Sequence, residues 1–294
     1  MAESIKTSFQ RYESIIQLNP LISPHQNEYM KIKILLVFLL LSSIGQSFAQ
    51  DALFGTDSTR KPKYGFILNG NVGGDLPLAD MAKRFGNSMR FGPAITYKTR
   101  KNYIWGVKAD FITGSLIKED SLLMNVRDKY SVNTFNGKFV EAINNSGERV
   151  GLPVYERGYL LGVQFGKIFS FSKENPDNGL TLITSAGFIQ HKITIYNNNS
   201  DVPAVLGDYV KGYDRLTNGW FVGEFVGYSY FAKNKFVNFN IGVDATLAVT
   251  KCRRDFLYDV MRADDKQRLD VLLGLRAGWM IPIFRHKSED ILFE

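Results

Sequence analysis

Seven ionisable side chains, Arg90, Lys98, Lys108, Asp110, Asp244, Asp270 and Arg276, fall at alternate positions within segments whose other face is apolar. Both signs occur on the same or neighbouring segments, a pattern suited to ion pairing in a narrow interior or to lining a conduction path. Hydrolysis would need a nucleophile beside a base. His191 has Ser185 six residues before it and Asp201 ten residues after it. Six residues of extended strand span roughly 20 Å, too far for a nucleophile–base hydrogen bond. His191 is therefore expected to be a hydrogen-bonding residue of the rim or lumen, while His286 lies beyond the last patterned segment. Cys252 is the only cysteine, and with isolated histidines it makes no metal ligand set. Arg253 and Arg254 beside it favour a thiolate, but no second cysteine gives it a redox partner. Gly70-Asn71-Val72-Gly73-Gly74 has the look of a phosphate loop, yet no crossover unit follows it. No catalytic, cofactor or metal site is expected, and the chain reads as non-enzymatic.

The segments that carry these residues share one design. From Phe236 to Val249, Val237, Phe239, Ile241, Val243, Ala245, Leu247 and Val249 share one face, with Asn238, Asn240, Gly242, Asp244 and Thr246 on the other. Period-2 alternation of this kind marks a strand with one apolar and one polar or small side. Arg268 to Phe284, Met89 to Lys98, Tyr103 to Gly114, Arg157 to Ile168 and Tyr64 to Gly73 repeat it. Leu180 to Tyr196 alternates poorly past Ala186, and Trp220 to Phe231 fits either face; Glu224 joins the charged set if Val222 and Val226 point inward. Eight strands are predicted. The connections alternate long and short: Gly74–Ser88, Thr99–Asn102, Ser115–Glu156, Phe169–Gly179, Asn197–Gly219, Ala232–Lys235 and Thr250–Gln267.

Composition narrows the architecture further. Aromatic residues make up 13% and hydrophobic residues 45% of 294 residues, which excludes disorder and a bundle of membrane helices. The longest apolar run, Ile34–Leu41, follows Met30-Lys31-Ile32-Lys33 and precedes Ser47-Phe48-Ala49. A basic stretch, a short apolar core and small residues are the parts of an export signal. The expectation is an upstream non-native extension over residues 1–29, a signal peptide over 30–49 and a mature chain from Gln50. The formal charge falls from +7 to +6 on that cleavage, since 36 basic and 29 acidic residues become 32 and 26. Basicity this slight fits a solvated surface or loops beside anionic headgroups, and no nucleic-acid partner is expected.

A lipocalin-like barrel alternates in the same way with its apolar face turned inward. Three features favour the opposite orientation. Glycine lies on the charged face, as a crowded interior requires. Tyr97, Tyr103, Trp105, Tyr159 and Trp279 stand near the ends of the apolar face, as an interfacial girdle would. The export signal is the third. The predicted fold is all-β: an antiparallel up-and-down transmembrane β-barrel of eight strands over residues 64–284, with long extracellular loops and short periplasmic turns. Residues 50–63 and 285–294 become periplasmic segments. On this orientation Arg90, Lys98, Lys108, Asp110, Glu224, Asp244, Asp270 and Arg276 form a lumen charge network. Arg276-Ala277-Gly278-Trp279-Met280-Ile281-Pro282-Ile283 resembles the C-terminal assembly signal of Gram-negative outer-membrane barrels, with Arg276, Gly278, Ile281 and Ile283 at its motif positions. The pattern departs from the usual one in that ten residues, Arg285 to Glu294, follow. The mature chain resembles small barrels of the OmpA/OmpX-like class. That resemblance implies location in the cell outer membrane, surrounding outer-membrane lipid, and the barrel-assembly machinery as a partner during biogenesis.

The loops are where such a barrel carries specificity. In the first, Asp80 is placed to cap a helical turn that Gly86 ends, with Leu78, Met81 and Phe85 plugging the mouth. In the third, Val202–Leu206 and Gly207–Gly219 supply Asp, Lys, Arg and Tyr to hold the rim together. Gly137 to Tyr155 alternates about Asn144-Asn145-Ser146-Gly147, a hairpin extending above the membrane whose edge invites a protein partner. The expected role is a structural or interaction component of the envelope that engages other envelope proteins. A narrow solute channel or a lipid hydrolase is the alternative.

Overall fold

A computed structural model describes residues 62–126, 139–171, 175–198, 202–232 and 237–284. The expected extension, signal peptide and C-terminal tail lie outside these residues. The strands are β1 (Gly65–Ala79), β2 (Ser88–Lys98), β3 (Tyr103–Gly114), β4 (Phe139–Ile143), β5 (Arg149–Ser170), β6 (Gly179–Ile195), β7 (Thr217–Phe231), β8 (Asn238–Cys252) and β9 (Gln267–Phe284). Every barrel strand pairs antiparallel with its sequence neighbour, β3 bonds directly to β5, and β1 pairs with β9 from Gly65↔Phe284 to Ala79↔Asp270. The result is a closed barrel of eight antiparallel strands with no free edge in its wall. The ninth strand, β4, forms a hairpin with the upper end of β5. Asn144 organises its turn by accepting from the Ser146 and Glu148 amides at 2.9 and 2.8 Å, and Gly147 supplies the positive φ of 79°.

Side chains sort by strand parity. Phe66, Phe91, Trp105, Val163, Ile241 and Leu275 are exposed on the outside, while their neighbours are buried in the lumen. A barrel this small has no room for large side chains at every inward position, so glycine recurs there. At Gly92 and Gly106 a Cβ would collide with the carbonyls of Ala109 and Ile95 on the adjacent strand.

Strands β1 and β6 depart from the expected pattern, and β5 begins at Arg149, eight residues before the expected Arg157. β6 stays regular to Ile195, yet above Ala186 its buried residues become Ile189, Ile193 and Ile195, with Gln190 and Lys192 on the other face. There the barrel wall rises into the loop cap, so the apolar side turns inward and the alternation inverts. β1 likewise runs six residues past Gly73, because Leu76 and Leu78 continue its outward face while Asp75 turns inward. Leu78 is therefore exposed on the wall and takes no part in the plug.

The cap itself has an apolar core. Met81 and Phe85 from the first loop meet Ile117, Leu122 and Leu123 from the second, Val140 and Leu152 from the hairpin, and Val202, Val205 and Tyr213 from the third. The turn at Met81–Lys83 is a single 3-10 turn; Asp80 leaves its amides uncapped and instead accepts from the Leu269 amide of β9 at 3.1 Å. Arg84, not Gly86, is its C-terminal cap, and the Gly86 amide donates to the Leu116 carbonyl at 2.7 Å. At the opposite end a smaller apolar cluster, Ile67, Ile104, Ile168, Phe231 and Met280, fills the lumen.

Candidate functional site

Between the two apolar clusters the lumen holds a layer of charge. Arg90 on β2 grips Asp75 of β1 through Nε and Nη2, both at 2.6 Å, and the same Nη2 reaches Asp244 of β8 at 2.7 Å. Its Nη1 donates to the Thr246 hydroxyl at 3.1 Å. Arg276 of β9 meets the second Asp244 oxygen at 3.0 Å, and its guanidinium lies 5.1 Å from the centre of the Phe225 ring. Lys108 pairs with Asp110 at 3.1 Å, with its ammonium 5.9 Å from the Phe221 ring. Four strands thus converge on one carboxylate–guanidinium lattice, in which bidentate and charge-assisted bonds offset the cost of removing the ions from water.

A second layer lies nearer the cap. Asp270 of β9 accepts from the Thr250 hydroxyl at 2.6 Å and contacts His191 Nε2 at 2.9 Å through the same oxygen. Arg84, descending from the first loop, approaches the other oxygen at 3.4 Å and donates to the Thr217 hydroxyl at 3.0 Å. Burial lowers the Arg84 guanidinium below its ordinary pKa and Asp270 opposes that shift. Phe85 packs edge-on against the His191 ring at 5.4 Å. Here the carboxylate sits between the hydroxyl and the imidazole. Nucleophilic catalysis needs the imidazole between them, so Thr250 is not activated. Ser185 contacts the Gly223 carbonyl, not His191, and Asp201 lies outside the described residues. His191 is a buried hydrogen-bonding residue beneath the plug, with no exposed surface.

Two residues of the predicted network sit apart from these layers. Lys98 lies at the far end of the barrel, where it bonds Asp177 at 2.6 Å and the Lys63 carbonyl at 2.8 Å, while Asn102 and Asn178 tie the same turn down. Glu224 is outside the lumen. On β7 the buried positions are Phe221, Gly223 and Phe225, and Trp220, Val226 and Tyr228 are exposed, so Val222, Glu224 and Val226 face outward. Aromatic residues on both parities left this strand ambiguous in sequence, and the buried pair Phe221 and Phe225 decides it by filling the lumen beside Lys108 and Arg276.

Asp75 and Arg84 complete these layers, Asp177 pairs with Lys98 at the far end, and Glu156 is buried on β5; the sequence placed all four in connections. Asp75 had a signal, since Leu76 and Leu78 continue the period of β1. The loops are joined by ions as well as apolar contacts. Arg254 forks onto Asp214, with Nε at 2.8 Å, and Arg215 meets Asp259 at 2.9 Å and the Ser121 hydroxyl at 2.8 Å. The Asp214 bond raises the Arg254 pKa, and burial raises that of the Asp259 carboxyl against the pull of Arg215. Cys252 is a buried free thiol at the upper end of β8. Gly70 and Gly74 are wall positions of β1 and form no loop.

No protein-family model and no curated protein matches the chain. Among solved structures it is similar to Neisserial surface protein A, at 11% identity and a TM-score of 0.38 over 74% of this chain and 96% of that one. It is also similar to the outer membrane protein OprG from Pseudomonas aeruginosa, at 12% identity and a TM-score of 0.32 over 75% and 97%. A third is Ail, the attachment invasion locus protein of Yersinia pestis, at 11% identity and a TM-score of 0.34 over 74% and 99%. At these identities and scores the likeness assigns neither activity nor partner.

Proposed function

We propose that this chain is a non-enzymatic outer-membrane barrel of a Gram-negative envelope, a structural or interaction component that engages other envelope proteins through its extracellular cap. The observation that carries the reading is the distribution of burial. Apart from Glu224 and Thr184, the wall is apolar outward between aromatic rows, as hydrocarbon requires, while the ionic lumen lies between an apolar cluster below and the cap above. Arg276, Gly278, Ile281 and Ile283 supply the signal for the assembly machinery, with the two isoleucines outward on the last strand.

The described part of the cap has its own apolar core and is pinned by Arg215–Asp259 and Arg254–Asp214, which gives a partner a fixed surface. The test is affinity purification of the full chain from native membranes. An envelope protein should copurify with the native cap and be lost when Val140→Asp disrupts it, while the barrel still shows heat-modifiable gel migration. Recovery of the barrel without any envelope protein, or unchanged recovery with the disrupted cap, rejects the reading.

A further inference from the structure

Glu156, on the upper part of β5, points into the lumen and is fully buried. Neither of its carboxyl oxygens has a hydrogen-bond partner among the described residues. Its register partner on β3 is Gly114, where a Cβ would stand 2.7 Å from Oε2, so the glycine gives the carboxyl its room. The cations around it are committed elsewhere. Arg84 of the first loop places Nη1 on Thr217 and Nη2 on Asp270. Arg157, next along β5, turns outward to the Thr113 hydroxyl and the Glu156 carbonyl. Arg90 of β2 is held by Asp75, Asp244 and Thr246. The carboxylates nearby are Asp75 of β1 and Asp270 of β9, both already in ion pairs. From β6 come Ile193, its register partner, and His191 one inward position below, while Lys192 between them lies on the outer face. From β2, beyond Gly114, comes the buried Ser88 hydroxyl, which also lacks a partner.

We infer that Glu156 is a proton-binding site: the folded barrel holds it as the neutral acid, in a lumen whose other ions already balance. In the two charged layers Arg84, Arg90, Lys108 and Arg276 match Asp75, Asp110, Asp244 and Asp270. An ionised Glu156 would add a negative charge with neither water nor a free cation against it. A carboxyl buried in that way takes up a proton instead. His191 is the other place for a proton, and its surroundings disfavour a second one. Asp270 can only accept, so Nε2 already carries the ring's proton. A further proton on Nδ1 would be a buried N–H with no acceptor among the described residues. The proton on Glu156 ties the cap to pH. Of the charges acting on Glu156, Arg84 weighs most, and its Nε is unpartnered. Once ionised, Glu156 competes with Asp270 for the arginine that ends the plug turn.

The test uses the full chain refolded in a carbonyl-free detergent, where the infrared carbonyl stretch of a protonated carboxyl stands apart from ionised carboxylates. At pH 7 the wild type should show that band. Glu156→Gln, which copies the shape of the neutral acid, should lack it. Linkage gives a second readout. Below about pH 4 the folded and unfolded chains both hold the proton; above it only the folded chain does, so stability falls as pH rises until the folded site ionises too. In urea the wild-type unfolding constant should rise about tenfold per pH unit relative to Glu156→Gln across that window. Heat-modifiable migration shows whether the variant folded, and Glu156→Leu assigns the band if the glutamine variant does not. No readout involves a partner, so failure of the envelope role leaves them unmoved. Absence of the band at pH 7, a band that survives substitution of Glu156, or parallel pH profiles for the two chains overturns the proposal.

Discussion

Arg90 makes four hydrogen bonds to three partners on two other strands, and no nearby side chain can replace its planar fork. Its removal leaves Asp75 and Asp244 as buried charges, with Arg276 and the Thr246 hydroxyl still on Asp244. Arg90→Ala should therefore cost about 3–5 kcal/mol, the usual effect of deleting one member of a buried ion pair. Arg90→Lys, which keeps the charge and loses the fork, should cost less. Urea unfolding of the refolded barrel, followed by tryptophan fluorescence, measures both; a cost under about 1 kcal/mol for Arg90→Ala would show that the lattice does not hold the lumen together. Glu224 shows how one residue is misplaced by sequence. Its own type says lumen, and only the burial of Phe221 and Phe225 on the other parity turns it outward.

At the level of elements, the hairpin of β4 and the upper β5 has the alternation of an ordinary half-buried ribbon. Val140, Ala142, Leu152 and Val154 are fully or nearly fully buried against the cap core, and Phe139 and Ile143 are exposed. Because β4 pairs, among the described residues, only with β5, the hairpin depends on that packing. Val140→Asp buries an unpaired carboxylate and should release the hairpin, seen as faster tryptic cleavage after Arg149 with heat-modifiable migration retained. Unchanged cleavage would mean that the hairpin does not need the cap. The hairpin was legible because its period and its Asn144-Asn145-Ser146-Gly147 turn agree. The upper part of β6 was not, because Ile189, Ile193 and Ile195 serve the apolar core of the cap while Leu180 and Leu182 lie on the opposite parity of the wall below. One strand passes through two environments, and a single rule of alternation cannot describe both.

For the whole molecule, the lumen is filled in series: the cap plug at Met81 and Phe85, two charged layers, then the cluster around Ile168 and Met280. A conduction path would have to cross all of them. The wild-type barrel should be silent in planar bilayers, and Phe85→Ala should stay silent, since it opens only the first barrier. Steps of conductance from the wild-type chain would reject a closed lumen and favour the channel reading. Steps from Phe85→Ala alone would mean that the cap is the gate and the layers below it are permeable.

The sequence by itself determined the eight strands, which side of most of them faces outward, and the charged character of the interior. These follow from a period of two, and that period is local: each residue's parity is set by its neighbours along the strand. Which charges meet was decided only by closure of the barrel. Asp75 and Asp244 are 169 positions apart and reach one guanidinium because β1, β2, β8 and β9 are adjacent once β1 pairs with β9. The layered lumen, the cap over it, and the outward turn of Glu224 come from the same cause. They depend on how strands are staggered around a ring, a property that no single strand carries.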